Sequence, residues 1–326
     1  MHSTRLIFKQ HGNPADVLEL EEFTVPPLEE GEVLLSINAA PVNPADLNYI
    51  EGTYGIKPSL PATAGIECFA TILESRSPDF KPGESVIPLG KIGGWASHAV
   101  TTADNLVRLP AGLDPLQAAI LKVNPATAWL LLNHFTTLNP GDWVTFNAAN
   151  SGVGQCVIQL AASMGIKTLC FLRNEALISE LAELGATAVF PDTHEGYTSA
   201  RELLGKKRTK LAFNAVGGDS ALRLIKLLAE GGTHITYGAM GRKPLTVPNG
   251  PLIFNDIILR GLWVTKWMDK AKKSELQQVY ADLAKRLAEG SLKQNVDFCY
   301  TLDDFPQALE RLDSAERKGK ILFSNL

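Results

Sequence analysis

Apolar and polar positions along this chain fall into two textures. From residue 1 to about 120 the apolar residues come in short runs, "EVLLSINAA", "CFATILES", "ESVIPLG", "WASHAV" and "NLVRLP". Pro- and Gly-containing turns such as "KPGE" and "PAGLDP" separate them. Short runs bounded by turn residues predict strands, so this part predicts a compact, mostly β domain. From about 125 to 265 strand-like runs alternate with helical ones. "DWVTFNA" leads into a helix over 151–164 that stops at Gly165, and "KTLCFLR" into a helix over 175–184 that stops at Gly185. "KLAFNAV" precedes a helix over 219–229, and "THITYG" and "GLWVTKW" add further strands. Glycine just past a helix is the expected stop, because it takes the left-handed backbone without a Cβ penalty. Repeated βα units force parallel strands with right-handed crossovers, which predicts a doubly wound, nucleotide-binding sheet.

The tail brings a helix, "KSELQQVYADLAKRLAEG", with Leu276, Val279, Tyr280, Leu283 and Leu287 at helical spacing. The β-like pieces "VDFCYTL" and "GKILFSNL" follow, and are expected to rejoin the first domain. The expected division is 1–122 plus 292–326 for the β domain and 123–291 for the inserted nucleotide domain.

Length and composition narrow the class. A chain of 326 residues is too long for one ordinary core, and 45% hydrophobic with 20% charged residues is a globular balance. The net charge of −4 implies no general attraction to nucleic acid or membrane. No apolar run approaches the roughly 18 residues that span a bilayer. The opening "MHSTRLIFKQHGNPADVLEL" enters a strand-like run with no apolar signal core, which predicts a cytoplasmic protein. Cys68, Cys156, Cys170 and Cys299 are scattered, without a C-x-x-C spacing, so buried free thiols are expected.

The segment "NAANSGVGQ", residues 147–155, is the first candidate for chemistry. Counting from Gly152, a G-x-G-x-x-G fingerprint would want glycine at Val157. Gly152 and Gly154 alone can still let a phosphate approach backbone N–H groups at a helix N-terminus, and Asn150 and Ser151 are capping types. Two glycines are a weak signal in isolation. Placed after a buried strand and before an amphipathic helix, they predict dinucleotide binding. The next strand ends in "FLRN" rather than in the acidic residue usual for NAD. Arg173 and Asn174 there favour the extra phosphate of NADP(H), while Glu175 argues the other way and a solvated strand end is the plain alternative.

Taken together, "NPATAW", "NAANSGVGQCVIQLAASMG", "FLRN", "AFNAVGG", "TYGAMG", "LRGLWVTKW" and "PVNPADLNYIEGTYGIKPSLPATAGIE" resemble the medium-chain dehydrogenase/reductase superfamily. They are most similar to its mitochondrial-type 2-enoyl thioester reductases, over nearly the whole chain. The resemblance implies a GroES-like β domain interrupted by a Rossmann domain, with an active site in the cleft between. It also implies a homodimer through the nucleotide domain. The alcohol dehydrogenases of the superfamily bind zinc, and their ligands are missing here. There is no cysteine near "NPADLN", and their Gly-His-Glu reads Gly65-Ile66-Glu67. The four-cysteine lobe is absent too, so no metal is expected.

Carried over residue by residue, the resemblance makes Tyr54 of "GTYGIKP" the acid or oxyanion donor. A phenol stays protonated at neutral pH and can donate to a developing enolate. An ordinary loop aromatic is the alternative, and Tyr49 looks like a core helix position. Trp263 falls where the family has an active-site tryptophan, with Trp267 as the local rival. Cofactor contacts are implied for Asn43, Asn124, Thr127, Asn150, Ser151, Gly152, Val153, Gly154, Arg173, Asn174, Tyr237, Gly238, Ala239 and Met240. Ala239 stands where the family has glycine. Lys320 of "GKILF" matches a cofactor lysine less securely, because Lys318 offers a second register. Glu67 reads as structural support. The run Lys206, Lys207, Arg208, Lys210 reads as a solvated face, or else as a dock for a CoA phosphate or an acidic acyl carrier protein.

The resulting expectation is NADPH-dependent reduction of the C=C bond of enoyl-CoA or enoyl-acyl-carrier-protein thioesters. Two alternatives stand beside it, an NADPH:quinone or enone reductase and a non-catalytic NADPH-binding protein.

Overall fold

The alternating texture in the second half of the chain becomes a parallel sheet. The computed structural model describes residues 1–324, so the last two positions of the expected strand "GKILFSNL", Asn325 and Leu326, lie outside the described residues. The chain divides into two compact units, one made of Met1–Val123 with Ala271–Leu326, the other of Asn124–Lys270.

In the second unit six strands run parallel, in the order Ala188–Pro191, Lys167–Leu172, Trp143–Phe146, Thr209–Asn214, Leu228–Thr236, Ile258–Gly261. Numbered along the chain this is 3-2-1-4-5-6, the doubly wound order whose switch point lies between Trp143–Phe146 and Thr209–Asn214. Val144, Phe146, Leu169, Phe171, Leu211 and Phe213 are buried, as strands covered on both faces require. The expected helix over 151–164 is Gly152–Ser163. The one over 175–184 is a 3₁₀ turn, Glu175–Leu177, followed by Ile178–Glu183. The helix expected over 219–229 spans Gly218–Ile225, because Leu228 already begins a strand. "WVTKW" is not a strand. After Ile258–Gly261 the chain leaves the sheet and forms the helix Val264–Met268.

The first unit holds two sheets. One is three-stranded, Leu18–Thr24, His2–Phe8, Ala62–Thr63. The other is seven-stranded, ordered Val296–Tyr300, Lys320–Ser324, Glu32–Pro41, Phe69–Ser75, Ser85–Pro88, Leu106–Arg108, with His98–Thr102 also paired to Glu32–Pro41. Their core joins Leu6, Phe8, Leu35, Ile72, Trp95 and Phe323. The C-terminal strands thus rejoin the N-terminal sheet.

The return comes earlier than residue 292. Helix Lys273–Ala288 groups with the first unit. It buries Leu276, Val279, Tyr280, Leu283 and Ala284, and the Tyr280 hydroxyl donates to the Lys122 carbonyl at 2.9 Å. No helix among the described residues is long and apolar enough to cross a membrane.

Candidate active site

At the switch point of the second unit, the segment 147–154 turns sharply from strand to helix. Ala148 takes φ +49° there, and the Ala149 N–H donates to the Phe171 carbonyl at 3.0 Å, tying the turn to the neighbouring strand. Ser151 is the N-cap of helix Gly152–Ser163, its hydroxyl accepting from the Gly154 N–H at 3.2 Å. A Cβ on Gly154 would lie 2.4 Å from the Ala149 carbonyl oxygen. Gly154 is therefore required by the close seat of helix on turn, and its N–H is taken by Ser151. The helix geometry leaves the N–H groups of Gly152 and Val153 for an outside acceptor, beside the positive end of the helix dipole. This arrangement fits a diphosphate.

Arg173 and Asn174 follow the end of strand Lys167–Leu172, two and three residues beyond Phe171, and both are exposed. Asn174 also caps the following turn through the Ala176 N–H at 3.2 Å. Tyr237, Gly238, Ala239 and Met240 follow strand Leu228–Thr236. The Tyr237 N–H reaches the Asn214 carbonyl and the Met240 N–H that of Ala215. The Tyr237 phenol is pushed well above its ordinary value by burial, opposed by a hydrogen bond with Ser151. Asn124 and Thr127, one helical turn apart on Asn124–Asn133, are both buried. The indole of Trp267 packs on that of Trp129 with centroids 6.3 Å apart, both being half-buried. Trp263 is half-buried at the N-cap of its helix.

A pair of residues unmarked by the sequence reading holds this end of the sheet together. Asn147 is fully buried. It donates to Asn214 Oδ1 at 2.9 Å and to Ser220 Oγ at 2.7 Å, and accepts from the Ala215 N–H at 2.8 Å. Asn214 Oδ1 in turn accepts from the N–H groups of Val216 and Gly217. The signal was present as a repeated Phe-Asn-Ala, at 146–148 and 213–215.

In the first unit, helix Pro44–Glu51 ends at Gly52, which has φ +76°. The N–H groups of Thr53 and Tyr54 both return to the Asn48 carbonyl, so Tyr54 is delivered, half-buried, on an ordered turn. Tyr49 is buried against Phe8, as its helix position predicts.

Asn43 and Lys320 meet each other. The Lys320 ammonium donates to Asn43 Oδ1, and Asn43 Nδ2 donates to Glu67 Oε1 at 2.7 Å. Glu67 Oε2 accepts from the Val123 N–H at 2.9 Å, pinning the main chain immediately before Asn124. Asp46 receives the N–H groups of Asn43 and Ile66, and Lys122 donates to the carbonyls of Ile66 and Gly90. Burial raises the Asp46 carboxyl to about 7 and lowers the Lys122 ammonium to about 8. It also raises the Glu67 carboxyl. Asn43 is thus a buried strut, with both ends of its amide engaged. Among the described residues, no three His, Cys, Asp or Glu side chains converge as metal ligands.

Comparison with known proteins finds two family matches. Residues 29–111 match the alcohol dehydrogenase GroES-like domain family, and 152–286 match the zinc-binding dehydrogenase family. The mitochondrial enoyl-[acyl-carrier-protein] reductase of Xenopus tropicalis is 37% identical, over 94% of this chain and 90% of its own length. That of Caenorhabditis elegans is 38% identical, over 94% and 91%. This chain belongs to the mitochondrial-type enoyl reductase family of the medium-chain dehydrogenase/reductases. Etr1p, solved as a complex with NADP and crotonyl-CoA, superimposes with a TM-score of 0.90 at 27% identity, covering 99% of this chain and 100% of that one. A putative NADPH:quinone reductase from Bacillus thuringiensis superimposes with a TM-score of 0.93 at 26% identity, covering both chains fully. The family is thus one of oxidoreductases on a GroES-like plus Rossmann scaffold, as the sequence motifs imply.

Proposed function

We propose that this chain reduces the C=C bond of 2-enoyl thioesters with NADPH, enoyl-CoA and enoyl-acyl-carrier-protein being the substrate class. The observation that carries this reading is likeness, over 94% of the chain, to reductases of that name. A solved relative holding NADP and crotonyl-CoA gives it further support.

Within the second unit, the N–H groups of Gly152 and Val153 bind the diphosphate. Arg173 and Asn174 take the adenosine ribose phosphate, where a guanidinium can make paired bonds to phosphate oxygens. Asn124, Thr127, Trp263 and the 237–240 loop bound the nicotinamide end. When bound, the reduced nicotinamide supplies the hydride that the β-carbon of the substrate receives. Tyr54 donates its phenolic hydrogen toward the charge that develops on the thioester side. Asn43, Glu67 and Lys320 act as supports within the first unit.

The basic run has a different position. Lys206, Lys207 and Arg208 precede strand Thr209–Asn214, at the end of the sheet opposite the nucleotide loops. Arg208 is bonded to the carbonyls of Gly205 and Lys207, and Lys210 pairs with Asp142 at 2.7 Å. A solvated face fits this placement better than a dock for the substrate's handle.

A homodimer is supported by the open edge of the parallel sheet. Strand Ile258–Gly261 is exposed along its length, with Ile253 and Phe254 exposed beside it, and an apolar sheet edge invites pairing with a second copy. Three fully buried cysteines outside any disulfide suit a reducing compartment such as the cytoplasm, while the relatives' names specify mitochondria.

The test is an acceptor panel. Rates of NADPH and NADH oxidation are measured with crotonyl-, hexenoyl- and decenoyl-CoA, the matching acyl-carrier-protein thioesters, and quinones. Enoyl thioesters with NADPH should turn over fastest. Turnover confined to quinones would install the second reading, which the Bacillus thuringiensis likeness favours. Nucleotide-dependent thermal stabilisation without turnover would indicate the non-catalytic one.

A further inference from the structure

The loop that follows Tyr54 borders open space. A cavity of about 220 Å³ lies against it, lined among others by Pro58, Ser59 and Thr63 on the loop side. Tyr49, Ile66 and Lys91 stand on other walls. Core side chains are normally held in place by close packing from every direction. The Tyr54 ring packs against the core of the first unit, and Lys91, on the cavity wall, adds a charged contact to it. Its ammonium nitrogen stands 4.7 Å from the ring centroid of Tyr49 and 5.1 Å from that of Tyr54, and the nitrogen is shielded from solvent. Both distances lie within the range over which a cation is drawn to an aromatic face.

The turn that carries Lys91 is anchored on both sides. The N–H groups of Leu89 and Gly90 donate to the carbonyl and side-chain oxygens of Asn105, and the Gly90 carbonyl accepts from Lys122 at 3.1 Å. Beyond Lys91, the Gly94 N–H donates to the Gly65 carbonyl at 2.8 Å. Gly93 sits at φ +74° with room for no Cβ, since one would lie 2.5 Å from Thr63 Cβ. A long flexible side chain therefore rises from a fixed base and ends with its ammonium nitrogen near two tyrosine rings. Its place is the wall next to the tyrosine that the proposed reaction uses.

We propose that Lys91 is a positioning residue for enoyl reduction. It props the Tyr54 ring and sets a positive charge against it, so that charge left on the Tyr54 oxygen during proton transfer is stabilised. This inference rests on the reading of Tyr54 as the acid of an NADPH-dependent enoyl reductase. In that step the β-carbon gains hydride from reduced nicotinamide and the π electrons of C=C pass to the α-carbon. A C–H bond forms there as the Tyr54 O–H bond breaks. NADPH is oxidised, the enoyl group is reduced, and Tyr54 regains its proton from water.

The test pairs Lys91→Met and Lys91→Arg with Tyr54→Phe, singly and combined, with Lys91→Gln in reserve should the methionine variant fail to fold. Lys91→Met should lower kcat about tenfold with KM nearly unchanged, Lys91→Arg should recover most of the loss, and in the Tyr54→Phe background Lys91→Met should add less than about a twofold effect. Equal effects of Lys91→Met in both backgrounds, or an effect on KM alone, would overturn the proposal.

A second readout is independent of turnover. In protein labelled with ring-¹³C tyrosine, the resonance lost in Tyr54→Phe should shift in Lys91→Met and stay near its place in Lys91→Arg. An unmoved resonance in Lys91→Met refutes the contact whatever the activity. Full turnover by Tyr54→Phe instead removes the catalytic assignment on which the proposal stands.

Discussion

The turn that carries Tyr54, the acid of the proposed reaction, is ordered while the residue stays half-exposed. The helix ahead of it ends at Gly52, and two N–H groups return to the Asn48 carbonyl. Tyr54→Phe keeps the ring and deletes the donor. It should lower kcat about a hundredfold, the range of general-acid contributions, while KM changes little. Steady-state rates with crotonyl-CoA check this, and unchanged turnover would remove the assignment. Arg173 stands exposed just past the end of strand Lys167–Leu172. Arg173→Ser should raise KM for NADPH about tenfold and leave NADH almost untouched, because only the former carries the extra phosphate. Equal effects on both cofactors would make Arg173 a solvated strand end. Residues of this kind are legible because their chemistry is written in their type and local motif. The bond between Lys320 and Asn43, 277 positions apart, is not. Each carries an implied cofactor contact in the sequence, and nothing there marks that the two meet each other.

At the level of elements, the seat of helix Gly152–Ser163 is the most demanding local geometry. Gly154→Ala would push a methyl group into the Ala149 carbonyl, a backbone atom that cannot move without displacing the turn. We expect a loss of about 2 kcal/mol or more in stability, of the size seen for overpacked sites, and at least tenfold weaker NADPH binding. Thermal melts and nucleotide titration check it; a variant with wild-type melting and affinity would contradict the packing argument.

Strand Leu228–Thr236 carries a second stress. His234 is fully buried, neither ring nitrogen meets a partner among the described residues, and burial lowers its pKa to about 4. The unfolded chain takes up that proton near pH 6.5 and the folded one only near 4, so the unfolded state binds more protons in between. His234 thus favours folding less and less as pH falls from about 6.5 to 4, by up to about 3 kcal/mol. His234→Leu should flatten this limb in denaturant titrations at pH 4.5 and 7.5, and an unaltered difference between the two would contradict it.

Sequence periodicity located most elements because buried faces repeat along them. It missed helix His194–Leu204, whose buried face is only Gly196, Ala200 and Leu204. It also read "WVTKW" as a strand, since Trp, Val and Thr have strand preferences. Tertiary packing decides otherwise, burying Val264 and Met268 and setting Trp267 against Trp129.

For the whole molecule, the two textures of the sequence become two units, with the chain returning to the first at Ala271. The return point was the least legible feature. A helix with one apolar stripe fits against either unit in the sequence, and the burial of Tyr280, its bond to Lys122 and the pairing of Lys273 with Asp104 assign it to the first. The exposed edge Ile258–Gly261 leads us to expect twice the chain mass in sedimentation. Ile258→Lys combined with Phe254→Asp should yield monomer, and an unaffected dimer would move the interface elsewhere. The central claim is that this chain moves a hydride from NADPH to the β-carbon of an enoyl thioester. Its most direct test uses NADPH dideuterated at C4 of the nicotinamide, with crotonyl-CoA, and reads the butyryl product by mass spectrometry and NMR. The account predicts one deuterium on the β-carbon and, in heavy water, a second on the α-carbon. Unreduced crotonyl-CoA, or a product without label on the β-carbon, would contradict it.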